Sequence, residues 1–213
     1  PRVENGLPDL KIPELNDEVL KGIGTVHLVG CGTAMHAGMV GKAVIEKLAR
    51  VPALVDIASE FRYRDPILSP NDLVIIISQS GETSDTLAAL RLAKAHGVKV
   101  LSIVNVVGSS IAREADYVLY TYAGPEIAVA ATKAYTVQLC ALYLFALRLA
   151  YARGKVSEEK TRELTAQLLG AADQIQPLLD TCEDIKFLAS RFMNSSDLFF
   201  LGRGFDYSLS LEG

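Results

Sequence analysis

The sequence contains no tryptophan, and only three cysteines and three histidines occur among its 213 residues. Cys31, Cys140 and Cys182 lie far apart, form no CxxC pair and do not cluster with the histidines. Such spacing argues against a zinc site, and an odd number of scattered thiols favours a reducing compartment. We therefore predict no metal, no cofactor and a cytoplasmic location.

The chain also lacks an excess of positive charge, since its net charge is −4 and its pI is about 5.4. This balance argues against a general nucleic-acid or anionic-membrane binder. The first residues, PRVENGLPDL, do not resemble a secretory signal. The longest uncharged apolar stretch, residues 134–147, is too short to span a bilayer and predicts a buried helix. We therefore expect neither nucleic acid nor membrane as a partner.

Half of the residues are hydrophobic, which predicts a sizeable core. Apolar strand-like runs alternate with segments of helical periodicity, and this alternation predicts βαβ units with a parallel sheet. The predicted strands are residues 25–30, 53–58, 73–78, 99–104 and 117–122. The predicted helices are residues 35–49, 84–96, 126–153, 157–176 and 181–194, with one or two helical turns within 108–115.

The two ends of the chain suggest a division into domains. Residues 1–22 are polar and contain proline, which predicts a leader or linker, and residues 23–153 form the first α/β domain. Residues 154–194 are expected to be connecting helices. The last residues, 195–213, contain a predicted strand, a glycine turn and a helix start, and they repeat the pattern of residues 27–35. We expect them to begin a second, similar unit, so that the chain is a fragment.

A serine-rich corner follows the most apolar predicted strand, where SQSGET occupies residues 78–83. The first amides of a helix have no intrahelical partner, and together with the helix dipole they favour an anion. Ser78, Ser80 and Thr83 add hydroxyl donors, and Gly81 allows close approach of the backbone. The corner has no P-loop lysine. We therefore predict a phosphate site, with simple helix capping as the alternative and Glu82 as an opposing charge.

A second corner, VGCGTAMHAG at residues 29–38, places a glycine turn before a helix. Met35 stands where the dinucleotide fingerprint requires glycine or alanine, although Asp56 is spaced as its acidic residue. A dinucleotide site therefore stays a minor alternative. We interpret Cys31 as a packed small residue, and His36 as a helix-surface or core histidine.

A third stretch, AGPEIAVAATKAYT at residues 123–136, breaks the chain with Gly124 and Pro125 and then begins a helix. Its alanines allow close backbone packing. Alternatively, the backbone of residues 129–131 lines a ligand cleft at the strand ends. Lys133 either balances charge in that cleft or faces solvent.

Together, CGTAMHAG, DIASEFRYRD, SQSGETSDTLAAL and GPEIAVAATKAYT resemble the sugar isomerase (SIS) domain. They are most similar to the isomerase half of the glutamine–fructose-6-phosphate aminotransferase family, from about residue 25 to the end. The resemblance implies a flavodoxin-like three-layer αβα sandwich with a five-stranded parallel sheet. It also implies a hexose 6-phosphate ligand, which is fructose 6-phosphate, glucose 6-phosphate or glucosamine 6-phosphate. The implied substrate-binding residues are Thr33, Ser78, Gln79, Ser80, Thr83, Val129 and Ala131.

This sequence departs from the family at two positions, because Ala34 and Ala131 replace serines that the family usually has. Each loss removes one hydroxyl contact, worth about 1 kcal/mol, so that ligand affinity is expected to be weaker or altered. The family's catalytic lysine and glutamate follow the LEG motif, which occupies residues 211–213 here. We therefore assign no catalytic residue, and Glu212 is not expected to be the base.

Two alternative functions differ in kind from the enzyme. One is a non-catalytic SIS sensor of sugar phosphates, although the acidic N-terminal stretch is too short for a DNA-binding helix-turn-helix. The other is a flavin-binding electron carrier, because SQSGET resembles a flavodoxin phosphate loop. That loop follows the first strand in flavodoxins and the third predicted strand here, and no tryptophan is present to stack on a flavin. We also expect a homodimer, since the long apolar helix exceeds what one sheet face needs.

Overall fold

The computed structural model describes residues 2–127 and 132–213. The strands are β1 (Arg2–Glu4), β2 (Leu7–Asp9), β3 (Val26–Gly30), β4 (Ala53–Ile57), β5 (Leu73–Ser78), β6 (Lys99–Val104) and β7 (Tyr117–Tyr120). The helices are α1 (Asp17–Gly22), α2 (Thr33–Leu48), α3 (Ala58–Phe61), α4 (Ser84–Ala95), α5 (Ser110–Glu114), α6 (Thr132–Ala152), α7 (Glu158–Asp180), α8 (Cys182–Phe192) and α9 (Phe205–Glu212).

Strands β3 to β7 form a parallel sheet in the order β4-β3-β5-β6-β7. This confirms the predicted five-stranded parallel sheet and the flavodoxin-like order. The order reverses at β3, because β4 lies on one side of it and β5 on the other. Open α/β sheets bind ligands at such a switch point, outside the carboxyl ends of the strands. The loops after β3 and β5 therefore flank the expected ligand cleft.

The apolar run of β5 is continuous because helices cover both faces of the sheet. Successive side chains of a strand point to opposite faces. Ile75 belongs to the core that contains Phe145 of α6, whereas its neighbour Ile76 belongs to the core that contains Leu90 of α4. A strand buried on both faces has no polar alternation. The fold is therefore a three-layer αβα sandwich, as predicted.

Helix α6 begins later than the predicted helix 126–153. Glu126 and Ile127 have no regular secondary structure, and α6 starts at Thr132. The stretch Lys133–Ala152 is long and apolar enough to cross a membrane, with a mean hydropathy of 1.3, but 56% of its apolar window is buried inside the fold. Since α6 packs against α2, its composition is explained by its place in the core.

Residues 2–22, which were expected to be a leader or linker, are folded onto the sandwich. Strands β1 and β2 pair as a hairpin, and β2 and α1 both contact α6. Leu10, Leu15 and Leu20 are buried in the same core as α6. The side chain of Asn16 caps α1 by accepting from two backbone amides. A few buried leucines thus anchor a mainly polar segment.

The predicted strand at residues 197–201 is absent, since these residues have no regular secondary structure. Leu198, Phe199 and Leu201 are exposed, and a strand needs a hydrogen-bonded neighbour to form. The predicted glycine turn and helix are present. Gly204 has φ 63° and ψ −123°, close to φ 52° and ψ −130° at Gly32, and each glycine precedes a helix. The division of the chain into domains stays a prediction.

Candidate functional site

A cavity of about 250 Å³ opens where β3 and β5 end, and it extends to α6. Sites for drug-sized ligands start at roughly 300 Å³, so this cavity suits a small metabolite. The described residues that line it are Cys31, Thr33, Ala34, Ile77, Ser78, Gln79, Ser80, Thr83, Thr86, Ala134 and Gln138.

The structure brings five of the predicted site residues together in this cavity: Thr33, Ser78, Gln79, Ser80 and Thr83. Thr33 is the first residue of α2, after β3; Ser78 ends β5, and the other three lie in the loop that follows it. Their convergence follows from the switch point, because the two strands are neighbours in the sheet. Val129 and Ala131, the other two predicted residues, lie outside the described residues. Sugar-phosphate binding by this set stays a prediction.

The β5–α4 corner uses its serine oxygens to shape its own loop. The Gly81 amide donates to Ser78 Oγ at 3.0 Å, and the Glu82 amide donates to Ser80 Oγ at 3.2 Å. A hydroxyl group that accepts one hydrogen bond still has its own proton to donate. Thr83 is the N-cap residue of α4, yet its side chain makes no capping hydrogen bond. Helix capping therefore does not account for these hydroxyl groups.

Gly81 is required by the packing of this corner. Its φ is +68°, and a Cβ atom built on it would lie 2.1 Å from Ser109 Oγ. Its carbonyl accepts from the Ile111 amide at 3.0 Å. Only glycine adopts this backbone conformation readily, and no side chain fits in the space. The corner is thus held closely against α5.

Glu82 does not oppose an anion in the cavity, because its side chain turns towards α5. Its Oε1 atom accepts from the Ser110 amide at 2.7 Å, and Glu82 is not among the residues that line the cavity. Hydrogen bonding to Ser110 lowers the pKa of the Glu82 carboxyl below its ordinary value of 4.5. No lysine or arginine occurs among the described lining residues. An anion there would be held by hydroxyl groups and by the positive end of α4.

At the β3–α2 corner the hydroxyl group donates its proton within the protein instead of accepting. Thr33 Oγ1 donates to Glu212 Oε1 at 2.8 Å, and His36 Nδ1 donates to Glu212 Oε2 at 2.6 Å. Glu212 lies at the end of α9, so these bonds connect α2 with α9. Since the Thr33 proton points to a carboxylate, its oxygen faces the cavity as an acceptor. His36 is a partly buried helix residue outside the cavity lining.

Three further side chains bear on the alternatives. Both oxygens of Asp56 accept from Arg64, at 2.9 and 2.8 Å, which disfavours the dinucleotide interpretation. Lys133 is exposed, and its Nζ donates to the Pro125 carbonyl at 2.5 Å. It does not line the cavity, so the solvent-facing interpretation of this lysine holds. Cys31 is partly buried and packs against the core on the α4 face.

Sequence reasoning missed Thr86, Ala134 and Gln138 as lining residues. Thr86 lies one turn after Thr83 on α4, and its hydroxyl donates to the Thr83 carbonyl at 2.8 Å. Ala134 and Gln138 are four residues apart and share one face of α6. A single glutamine within the apolar stretch 134–147 was the available signal.

Comparison with known proteins identifies the family of this chain. A model of the SIS domain matches residues 20–148. The "Glutamine--fructose-6-phosphate aminotransferase [isomerizing]" of Clostridium tetani is 54% identical over 96% of this chain and 34% of its own length. The Methanosarcina mazei protein of the same name is 46% identical over 96% of this chain and 33% of its own length.

A solved structure matches as well. The C-terminal domain of glucosamine-fructose-6-phosphate aminotransferase from Francisella tularensis superposes with a TM-score of 0.94. It is 38% identical, and the match covers 98% of this chain and 58% of that one. The chain spans about a third of the length of the curated relatives it matches. The match over residues 20–148, together with the observed sheet, shows that the chain belongs to the SIS domain family.

Proposed function

We propose that this chain is the sugar-phosphate-binding part of an isomerising glutamine–fructose-6-phosphate aminotransferase. The whole enzyme would make glucosamine 6-phosphate from fructose 6-phosphate and glutamine. The observation that carries this proposal is the pair of hydroxyl groups on Ser78 and Ser80, which keep their protons for a ligand in a cavity at the switch point. The names of the relatives support the same ligand class.

The role of this chain would be to bind and orient the sugar phosphate. The hydroxyl donors and the start of α4 would hold the phosphate, because a phosphate monoester at neutral pH offers mainly acceptor oxygens. Amination of the open-chain ketose and the transfer of a proton from C1 to C2 need an amine and a base. The described lining contains no lysine, histidine, aspartate or glutamate, so we assign no catalytic residue to this chain.

Calorimetric titration tests the ligand. Glucose 6-phosphate, fructose 6-phosphate, glucosamine 6-phosphate and inorganic phosphate should each bind the intact protein, and the three sugar phosphates should bind more tightly than phosphate alone. Free glucose should bind more weakly than any of them. Equal affinities for glucose and for glucose 6-phosphate would exclude a phosphate site at this cavity.

A non-catalytic sugar-phosphate sensor is the second candidate, and the absence of acid–base side chains from the described lining favours it. Turnover distinguishes the two functions. If the proposal is right, this chain alone forms no product, and the whole enzyme that contains it forms glucosamine 6-phosphate from fructose 6-phosphate and glutamine. A whole protein that binds the sugar phosphate tightly and forms no product would be a sensor.

We also propose a cytoplasmic location, a homodimer and no nucleic-acid partner. The three cysteines are free thiols, which suits a reducing compartment. Helix α6 is largely buried and does not offer a dimer surface. Helices α7 and α8 expose apolar side chains such as Leu178 and Phe187, and these support the dimer instead. Light scattering of the purified protein tests the dimer, and a monomer mass at micromolar concentration would exclude it.

A further inference from the structure

Gln138 is a polar side chain of the cavity that neither the sequence motifs nor the proposed function uses. It lies on α6, one turn after Ala134, and only 3% of its surface is exposed. Its Oε1 atom is fully buried and has no hydrogen-bond donor among the described residues. Buried polar atoms are nearly always paired. Since Gln138 lines the cavity, a rotation of its amide would bring Oε1 to a partner that the cavity receives.

The donors and acceptors along the cavity wall indicate which kind of chemical group that partner is. At the β5–α4 corner, Ser78 and Ser80 offer donors, since their oxygens already accept from backbone amides. Thr33 Oγ1 and Gln138 Oε1 are acceptors, because the Thr33 proton goes to Glu212 and an amide oxygen only accepts, although the amide nitrogen of Gln138 can still donate. The cavity therefore has a donor side and an acceptor side.

A sugar phosphate has the complementary polarity. Its phosphate oxygens accept hydrogen bonds, whereas each sugar hydroxyl carries a proton to donate. With the phosphate at the serine corner, the hydroxyl groups would lie against the acceptor side. Inorganic phosphate carries no sugar hydroxyl groups, and bound at the serine corner it would leave Gln138 Oε1 unpaired.

We propose that Gln138 is a specificity residue that accepts a hydrogen bond from a sugar hydroxyl, and that it thereby distinguishes hexose phosphates from free phosphate. This inference rests on the proposed function, because it assumes that the phosphate occupies the serine corner. Thr33 acts with it from the other loop of the cavity. Ala134 presents only a methyl group at the neighbouring position.

Calorimetry on the intact protein tests this role with Gln138→Met, which keeps a long unbranched side chain and removes the acceptor. We expect the Kd for glucose 6-phosphate to rise about fivefold to thirtyfold and the Kd for inorganic phosphate to change less than about twofold. Gln167→Met is the matched control, since Gln167 is exposed on α7 and bonds to Glu163. It should change neither Kd.

Two outcomes would overturn the role of Gln138. Unchanged affinity of the Gln138→Met protein for glucose 6-phosphate would remove it from the site. An equal loss for both ligands would show that Gln138 serves the phosphate or the cavity as a whole. A wild-type protein that binds neither ligand would contradict the proposed function instead, so the two failures are distinguishable.

A second measurement begins with the wild-type protein, so its first result does not depend on the folding of any variant. Wild-type protein is titrated with glucose 6-phosphate analogues that each lack one hydroxyl group. At least one analogue should bind about fivefold to thirtyfold more weakly, and the Gln138→Met protein should not distinguish that analogue from the parent sugar. Equal affinity of the wild-type protein for all of the analogues would exclude a hydroxyl contact at Gln138.

Discussion

The β5–α4 corner and the β3–α2 corner lie side by side at the ends of neighbouring strands. Their hydroxyl groups differ in the hydrogen bonds that they already make within the protein. Ser78 and Ser80 accept from amides of their own loop and keep protons to donate. Thr33 gives its proton to Glu212 and keeps an acceptor. Two corners at neighbouring strand ends thus offer opposite partners to a ligand. The difference teaches that the bonds already made by a hydroxyl group decide which end of a ligand it can face.

The largest effect should come from Gly81→Ala, which disrupts the packing of the β5–α4 corner. The new Cβ atom would meet Ser109 Oγ at 2.1 Å with φ at +68°. Left-handed strain and overpacking together should cost about 2–4 kcal/mol of unfolding free energy. Phosphate binding should be lost as well. Urea unfolding and calorimetry measure the two effects.

Gly97→Ala is the matched control for that experiment, because Gly97 has φ +74° and a Cβ atom added to it would meet no atom of the described residues within 4 Å. This change should cost about 1 kcal/mol, from the backbone conformation alone. Equal destabilisation by the two alanines would show that the close approach of Ser109 does not exclude a side chain at residue 81 of the β5–α4 corner.

Ser80→Ala comes next and removes one donor from the cavity. Hydrogen bonds to charged groups contribute about 1.5–3 kcal/mol, so the Kd for glucose 6-phosphate should rise about tenfold to a hundredfold. The Kd for inorganic phosphate should rise by a similar factor. Ser84→Ala should leave both unchanged, because Ser84 begins α4 outside the cavity lining. A loss restricted to the sugar phosphate would place the phosphate elsewhere.

Thr33→Val tests the acceptor at the β3–α2 corner. A neutral hydrogen bond contributes about 1 kcal/mol, so the Kd for glucose 6-phosphate should rise about threefold to tenfold, while that for inorganic phosphate stays constant. Thr165→Val is the control, since its hydroxyl donates within α7 to the Thr161 carbonyl. If Thr33→Val weakened both ligands equally, the assignment of opposite roles to the two corners would be wrong.

The smallest effect is expected from Glu82→Gln, which should change how folding stability depends on pH. The folded state lowers the pKa of the Glu82 carboxyl through hydrogen bonding to Ser110, so its ionised form favours folding. That contribution is present above the ordinary pKa of 4.5 and is lost as the pH falls through the lowered value. Wild type should be slightly more stable than the variant at pH 7, and the difference should shrink below pH 4.5. A constant difference in urea midpoints from neutral to acidic pH would contradict this origin.

The sequence allowed the central fold to be predicted, because local signals determined it. The apolar run of β5 and the glycines after β3 and β5 indicated a parallel sheet with ligand loops at its carboxyl edge. The packing of residues 2–22 was not predicted, because Leu10 and Leu20 lie in a core with α6, which is far away in the sequence. The apolar run 197–201 looked like a strand, but strand formation depends on a neighbouring strand that sequence patterns do not reveal.

The residues that line the cavity were predicted in part, for the same physical reason. The serine corner is local, so its donors could be recognised from residues 78–83 alone. Gln138 is brought to the cavity by the packing of α6 against α2, and the proton of Thr33 is directed by Glu212, more than 170 residues away. Contacts of this range depend on the tertiary structure, and they determine which groups are donors and which are acceptors.

A crystal structure of the protein with glucose 6-phosphate tests the central claim most directly. We predict that the phosphate lies within hydrogen-bonding distance of the hydroxyl groups of Ser78 and Ser80, and that sugar hydroxyls face Thr33 and Gln138. A ligand bound in the reverse orientation, or a cavity that stays empty at saturating ligand, would contradict this.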